Sequence, residues 1–289
     1  MLDAAPAYEL PSDPIPGLDT PPPSELSEQD SEAAEAPAQP PSPAVSAVEK
    51  AAPAALDTTH ASTGTASPLP PAQLPPSARL RYDVAGQAKG FSYSASGQLD
   101  WNQDGSTYEA RMEVSAFLVG SMVQTSTGRV SATGLAPDRF IDKRRKEKTT
   151  EFDRAAMRIR YNSNARVDPL LAGTQDRISI SLQLAGLLNA NPEYVEGQVL
   201  SLPVSGSSST EPWLFAIGPE TTLDLPAGPL LTRLLTRQPR REGDIKVQIW
   251  LAPALENLPV RIRFSDSKGD FVDQRLEELP AMSSSTPSS

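Results

Sequence analysis

Cysteine is absent from this chain, and histidine occurs once, as His60. The first absence excludes disulfides, thiolate zinc sites and cysteine nucleophiles. The second removes the Ser-His-Asp triad and every histidine metal site from the residues beyond the N-terminal quarter. No Walker loop and no Gly-x-Gly-x-x-Gly turn is present, so neither common phosphate cradle is available. No apolar run approaches the length of about 18 residues of a membrane-spanning helix, and residues 1–30 hold no signal-peptide core. Carboxylates, lysines and tyrosines are what remain for acid–base chemistry. A catalytic carboxylate pair is recognised by its separation in space, which spacing in sequence does not reveal. The expectation is a non-enzyme with no cofactor and no bound metal.

Charge is unevenly spread. Residues 1–77 hold 17 of the 30 prolines, a single aromatic residue (Tyr8), 11 acidic side chains and one basic one, Lys50. Residues 78–289 carry 25 charges of each sign, so the whole net charge of −10 belongs to the N-terminal segment. A segment so poor in apolar side chains cannot offset its ordering entropy by burial, and 1–77 reads as a long disordered acidic Pro/Ala/Ser-rich linker. Pro21-Pro22-Pro23 and Pro40-Pro41-Ser42-Pro43 favour extended polyproline geometry and semi-rigid spacing. A spacer of this kind is useful when something is attached at its far end, so an export signal or membrane anchor upstream of Met1 is expected. The tail 281–289 is Ser/Pro-rich and expected to fray.

Between linker and tail, apolar residues recur with period two, the mark of half-buried strands. The clearest case is Ile245–Phe264. There Val247, Ile249 and Leu251 oppose Lys246, Gln248 and Trp250, and after Pro253 and Pro259 the device repeats with Val260, Ile262 and Phe264. Leu80, Tyr82 and Val84 begin the series. Phe91–Ala95 and Leu99–Trp101 follow, and then the long alternation Tyr108, Ala110, Met112, Val114, Ala116. Further runs lie at Met122–Thr127, Arg129–Thr133, Arg139–Arg145, Met157–Tyr161, Gln198–Val204 and Pro212–Ile217. Pro226, Gly228 and Pro229 interrupt Leu223–Leu235. Asp266–Asp270 reads as a turn with Gly269 in the left-handed position.

One segment fits two patterns. Ile178, Ile180, Leu182 and Leu184 alternate like a strand, yet Asp176 is a good N-cap and Asn191-Pro192 a good stop. Read as a helix over 176–188, Ile178, Leu182, Ala185 and Leu188 share one stripe. The helix is the reading adopted.

Two local patterns imitate sites. Asp100–Gly105 opens like a calcium loop, but the twelfth position, where a bidentate glutamate belongs, is Arg111, so a hairpin turning on Asp104-Gly105 is expected. Lys143–Lys148 is a cationic run with Arg154, Arg158 and Arg160 nearby. It reads either as a solvated strand edge kept from pairing by lysine or as a contact for anionic headgroups; a neutral domain without interleaved aromatics argues against nucleic acid.

Four stretches together carry a resemblance: Tyr82-Asp83-Val84 leading into Gly97–Trp101, Gly134–Arg139, Asp176–Leu188, and Trp250–Pro253 followed by Leu258–Ile262. Over roughly 78–280 the chain resembles a bacterial envelope family known as domain of unknown function 3108. The resemblance implies a β-rich exported domain with a helix at 176–188 and an address in the periplasm or cell envelope. It implies no catalytic residues.

The fold expected is a single mainly-β domain over 78–280, a large curled antiparallel sheet forming a half-open or closed barrel, with one packed α-helix. A two-sheet sandwich with the helix at one end is the alternative. Two functions follow. In one, the curled sheet is a cradle for an apolar or lipid-like ligand. Met112, Val114, Leu184 and Ile249 then line the tail site, and Lys143, Arg144 and Arg145 meet an anionic head at the rim. Small inward residues (Ala95, Gly97, Ala110, Ala116) would leave the space. In the other, the core is filled and the domain is a structural or protein-interaction element of the envelope.

Overall fold

The computed structural model describes residues 69–116, 120–241 and 243–281. The linker read over 1–77 therefore lies outside the described residues as far as Pro68, as does the tail from Met282. Alternation becomes strand nearly throughout. In chain order these are β1 (Ala78–Ala88), β2 (Phe91–Gln103), β3 (Thr107–Ala116), β4 (Gly120–Ser131) and β5 (Gly134–Lys143). Then come β6 (Glu147–Asp153), β7 (Arg158–Tyr161), β8 (Val167–Pro169) and β9 (Gln175–Asp176), before α1 (Ser179–Ala190), the single α-helix among the described residues. After it run β10 (Val199–Ser205), β11 (Thr210–Leu225), β12 (Gly228–Arg237), β13 (Lys246–Ala252), β14 (Leu258–Ser265) and β15 (Phe271–Leu276).

All fifteen strands belong to one sheet, ordered from β8 back to β1, then from β15 back to β9. Neighbours are antiparallel except β9 and β10. The ladder does not close, since β8 and β9 are its two ends. This is the curled, half-open form expected, and the sandwich is set aside. The runs at Met122–Thr127 and Arg129–Thr133 are one strand, β4, bulged opposite β5 at Thr127/Gly128. The run Lys143–Lys148 is not a sheet edge. Lys143 ends β5, Arg144–Lys146 make the turn, and Glu147 and Lys148 begin β6, pairing with Lys143 and Asp142. Opposite charges face each other across that ladder, which is why a charged stretch without apolar alternation still forms a hairpin.

The helix starts later than expected but for the expected reason. Asp176 Oδ1 accepts the backbone N–H groups of Ile178 and Ser179, both at 2.9 Å, while Ser179 Oγ accepts the Asp176 N–H at 2.8 Å. That is a reciprocal capping box built on Asp176 and Ser179. The expected apolar stripe is not its only packed face, because every residue from Ser179 to Leu188 is buried. Leu184 is wholly enclosed. The sheet wraps one side and residues 69–77, expected within the linker, strap the other. Gln73 N donates to Gly186 O (2.8 Å), Ala72 N to Ala132 O (3.0 Å), and Trp101 Nε1 to Pro75 O (3.1 Å). Gly186 permits this crossing, since a Cβ there would lie 3.0 Å from Leu74 Cδ2. The far end of α1 is pinned to the β13–β14 corner by Asn189, which donates to Glu256 O (2.9 Å) and accepts from Asn257 Nδ2 (2.7 Å).

Side chains do what the missing ladder does not. The first half of β5 has no partner in β6, whose pairing begins at Arg139. There Gln183 Oε1 accepts Leu135 N (2.7 Å), and Gln175 Nε2 donates to Leu135 O (2.9 Å). Tyr108, on β3, hydrogen-bonds Ser126 (2.9 Å), which donates to Asp176 Oδ2 at 2.5 Å. Further along the seam Thr150 Oγ1 donates to Gly206 O (2.9 Å), and Asp168 Oδ2 accepts from Tyr161 OH (2.7 Å) and Thr210 N (2.8 Å). Burial pushes the Tyr161 hydroxyl well above the ordinary tyrosine range.

Two outcomes follow from the strap and the cap. A chain lacking 1–77 is expected to melt at least about 5 °C below one lacking 1–68, because only the longer deletion uncovers the helix; equal melting temperatures would show that the strap is not part of the core. The second concerns pH. Burial pushes the Asp176 carboxyl up to about 6, against the hydrogen bonds that favour its charge. The folded chain therefore holds this proton more tightly than the unfolded one. The stabilisation is complete below about pH 4 and is lost as pH rises through 6, a change on the order of 3 kcal/mol. Asp176→Asn keeps the cap acceptor and has no such titration. Urea unfolding from pH 4 to 7 should show the wild type losing stability relative to the variant across that window, and parallel curves would place the titration elsewhere.

Candidate functional site

Register puts the β1–β2, β5–β6 and β14–β15 turns and the start of α1 at one end of the curled sheet. At that end the first turn of the helix does not fill the interior. An apolar hollow of about 30 Å³ remains, room for one or two waters. Met112 of β3 and Met122 of β4 form one wall, Ile249 of β13 and Phe264 of β14 another, and Ile178, just before α1, and Ile180 within it the floor. Period-two alternation explains the strand residues, since each sits on the inner face with Leu99, Val247 and Ile262.

Polar groups interrupt this lining at few points. Gln124 and Gln274 are 4% and 3% exposed, and both face the hollow. Gln274 Oε1 is buried with no hydrogen-bond partner among the described residues. Arg177 lies at the mouth with its guanidinium 4.8 Å from the Trp213 ring centre, and Arg237 sits 4.7 Å from the same ring. Arg237 is held by the Asp244 carboxylate through its Nη2 at 2.9 and 2.8 Å, and it donates to the Ile245 carbonyl. Burial pulls its guanidinium below the ordinary arginine range, and Asp244 opposes that pull. Ser181 is committed to the helix, donating to Ile178 O (3.1 Å). Such a constellation can hold and orient a group. It offers no nucleophile beside a base, and no cluster of three or more His, Cys, Asp or Glu suited to a metal occurs among the described residues.

Of the residues singled out from sequence, Met112 and Ile249 meet in this hollow. Val114 is buried, opposite Gly97 and Met122 in the ladder, outside the lining. Leu184 packs a full turn further into the core. Lys143 and Arg145 are exposed on their hairpin at the same end. Arg144 turns in toward Asp142 at 3.3 Å, with 14% of its side chain exposed. None of the three lines the hollow. The space expected beside small residues is taken, since a Cβ on Gly97 would lie 3.1 Å from Val84 Cγ2. A long tail lying under the helix therefore has no room, because the helix itself occupies the interior.

Sequence reasoning missed Met122, Gln124, Arg177, Trp213 and Gln274. Two of them carried a signal. Arg177 places a cation at a helix N-terminus, where the dipole disfavours it. Gln274 interrupts an inward row between Val272 and Leu276. A wider groove of about 290 Å³ crosses the outer face near Val199, Leu214, Pro239 and Arg240. Its Arg240 is held at 2.5 Å by Glu211.

The chain has no significant match among curated proteins. Among solved structures it is similar to the crystal structure of a beta-barrel-like protein of domain of unknown function DUF1849 from Brucella abortus, at 12% identity, covering 73% of this chain and 99% of that one with a TM-score of 0.49. The model of the family described as protein of unknown function (DUF3108) matches residues 81–276, and the chain belongs to that family.

Proposed function

We propose that this domain is a non-catalytic binding module of the bacterial periplasm or cell envelope that takes the end of an apolar, lipid-like chain at the open end of its sheet. The observation that carries the reading is the hollow between Met112, Met122, Ile249 and the first turn of α1, where the helix leaves the interior unfilled. The acidic Pro-rich segment ahead of the domain supports a tethered, exported protein. The lining supports a neutral apolar guest, and Arg177 at the mouth supports an anionic head on it.

Magnitudes constrain the binding mode. Micromolar affinity is about −8 kcal/mol, the burial of about ten methylenes at 0.8 kcal/mol each. The hollow as it stands accommodates one or two. Binding at that strength must therefore move Met112, Met122 and Phe264 apart, and methionine, with three rotatable bonds and a polarisable sulfur, is the side chain suited to it.

The second reading, a filled-core protein-interaction element of the envelope, draws on the enclosed helix and on the outer groove with its exposed Val199 and Leu214. Titration of the full chain with dansyl-undecanoic acid separates the two. Saturable binding near micromolar concentration is expected, abolished by Met112→Trp with little change in melting temperature, and sensitive to Trp213→Phe through loss of energy transfer to the dansyl group. Absence of saturable binding to the wild type would overturn the module and leave the interaction element.

A further inference from the structure

We infer that the guest of the hollow carries a hydroxyl group on its alkyl chain, and that Gln274 is the side chain that recognises it. The inference rests on the binding reading above and goes further by naming the chemistry of the guest. Three observations support it. Gln274 is 3% exposed and its inward neighbours along β15, Val272 and Leu276, are apolar, so a carboxamide here is not placed for solubility. In the ladder Gln274 lies between Val84 and Ile262, neither of which can hydrogen-bond it through its side chain. Its Oε1 is buried without a partner among the described residues, and the residue lines the hollow.

A buried amide oxygen left unpaired is a standing cost of folding, which persists where a ligand or water relieves it. The partner must be small, must reach an otherwise apolar space and must donate. A hydroxyl both donates and accepts, so it meets either orientation of the carboxamide, including the one that turns Nε2 toward the hollow. A carboxylate does not fit Gln274 as well, because it accepts only and cannot satisfy Oε1. Ser181 does not compete for the guest, since its hydroxyl is committed to Ile178 O. Discrimination of this kind is sharper than what methylene count provides, because an analogue without the hydroxyl leaves the glutamine unpaired.

The test is displacement of dansyl-undecanoic acid from the full chain at neutral pH by 1-decanol and by decyl methyl ether. The alcohol and the ether share an apolar chain, and only the alcohol donates. Decanol is expected to displace the probe at a concentration at least tenfold below that of the ether. Gln274→Met, which keeps the volume and removes the amide, should bring the two within twofold. Should Gln274→Met fold poorly, Gln274→Leu reads out the same ratio. Equal displacement by decanol and ether in the wild type overturns the inference and assigns Gln274 to an ordered water. Retention of the tenfold preference for decanol by Gln274→Met also overturns it, since another group would then be reading the hydroxyl. Failure of the wild type to bind the probe at all is a different result, which removes the binding reading and this inference with it.

Discussion

A sheet that curls without closing has two edges of backbone groups to satisfy, and the rest of this structure depends on how that is done. Barrels abolish their edges by completing the ladder. Here β8 and β9 are never joined, and the seam is held by side chains: Gln175 and Gln183 on the backbone of Leu135, Ser126 on Asp176, Thr150 on Gly206, and Asp168 on Thr210. Each replaces a ladder bond with one requiring a particular residue at a particular place. The helix is enclosed as a consequence. It supplies Gln183, and its cap supplies Asp176, so seam and helix form together or not at all.

That dependence explains where the sequence was legible. Strands with one buried face declare themselves by period two, and β1, β2, β3, β13 and β14 were plain from Leu80, Leu99, Met112, Val247 and Ile262. The helix was ambiguous because Ser179, Ser181 and Gln183 are polar yet buried. Their polarity serves the seam and the cap, not solvent, so the alternation looked like a strand and the stripe looked narrower than the packed surface is. β8 and β9 were invisible. They are three and two residues long, and tertiary context makes them strands. The boundary at residue 77 was drawn where prolines end, but extended Pro-rich chain suits a strap across a helix as well as it suits a spacer.

The site was legible only in part, for a related reason. Met112 and Ile249 emerged because strand periodicity says which residues face inward. It does not say which inward residues meet, and the hollow unites β2, β3, β4, β11, β13, β14, β15 and the helix start. The expected pairing of an apolar interior with Lys143–Arg145 followed from charge density along the chain. The arginine that reaches the lining is Arg177, beside the cap, on a stretch whose charge is unremarkable. Arg144 instead spends its charge on Asp142.

Length decides why a hollow exists at this end. Twelve residues of α1 span about 18 Å at 1.5 Å per residue. Ten residues of β3 run about 33 Å, which a barrel-like tilt reduces to about 25 Å along the axis of the curl. The helix is thus shorter than the interior it fills by on the order of 7 Å, a little over one helical turn. At its C-terminal end the difference is taken up by Asn189, Asn257 and the corner between β13 and β14, and on its flank by the strap. At its N-terminal end the capping box forbids extension, since Asp176 must leave the helix to reach Ser126 on β4. The interior beyond that point can be closed only by side chains from the strands, and among those present are two methionines, a phenylalanine and two glutamines, residues long enough to reach across and loose enough to part. The bond that closes the seam is therefore the one that leaves the mouth open.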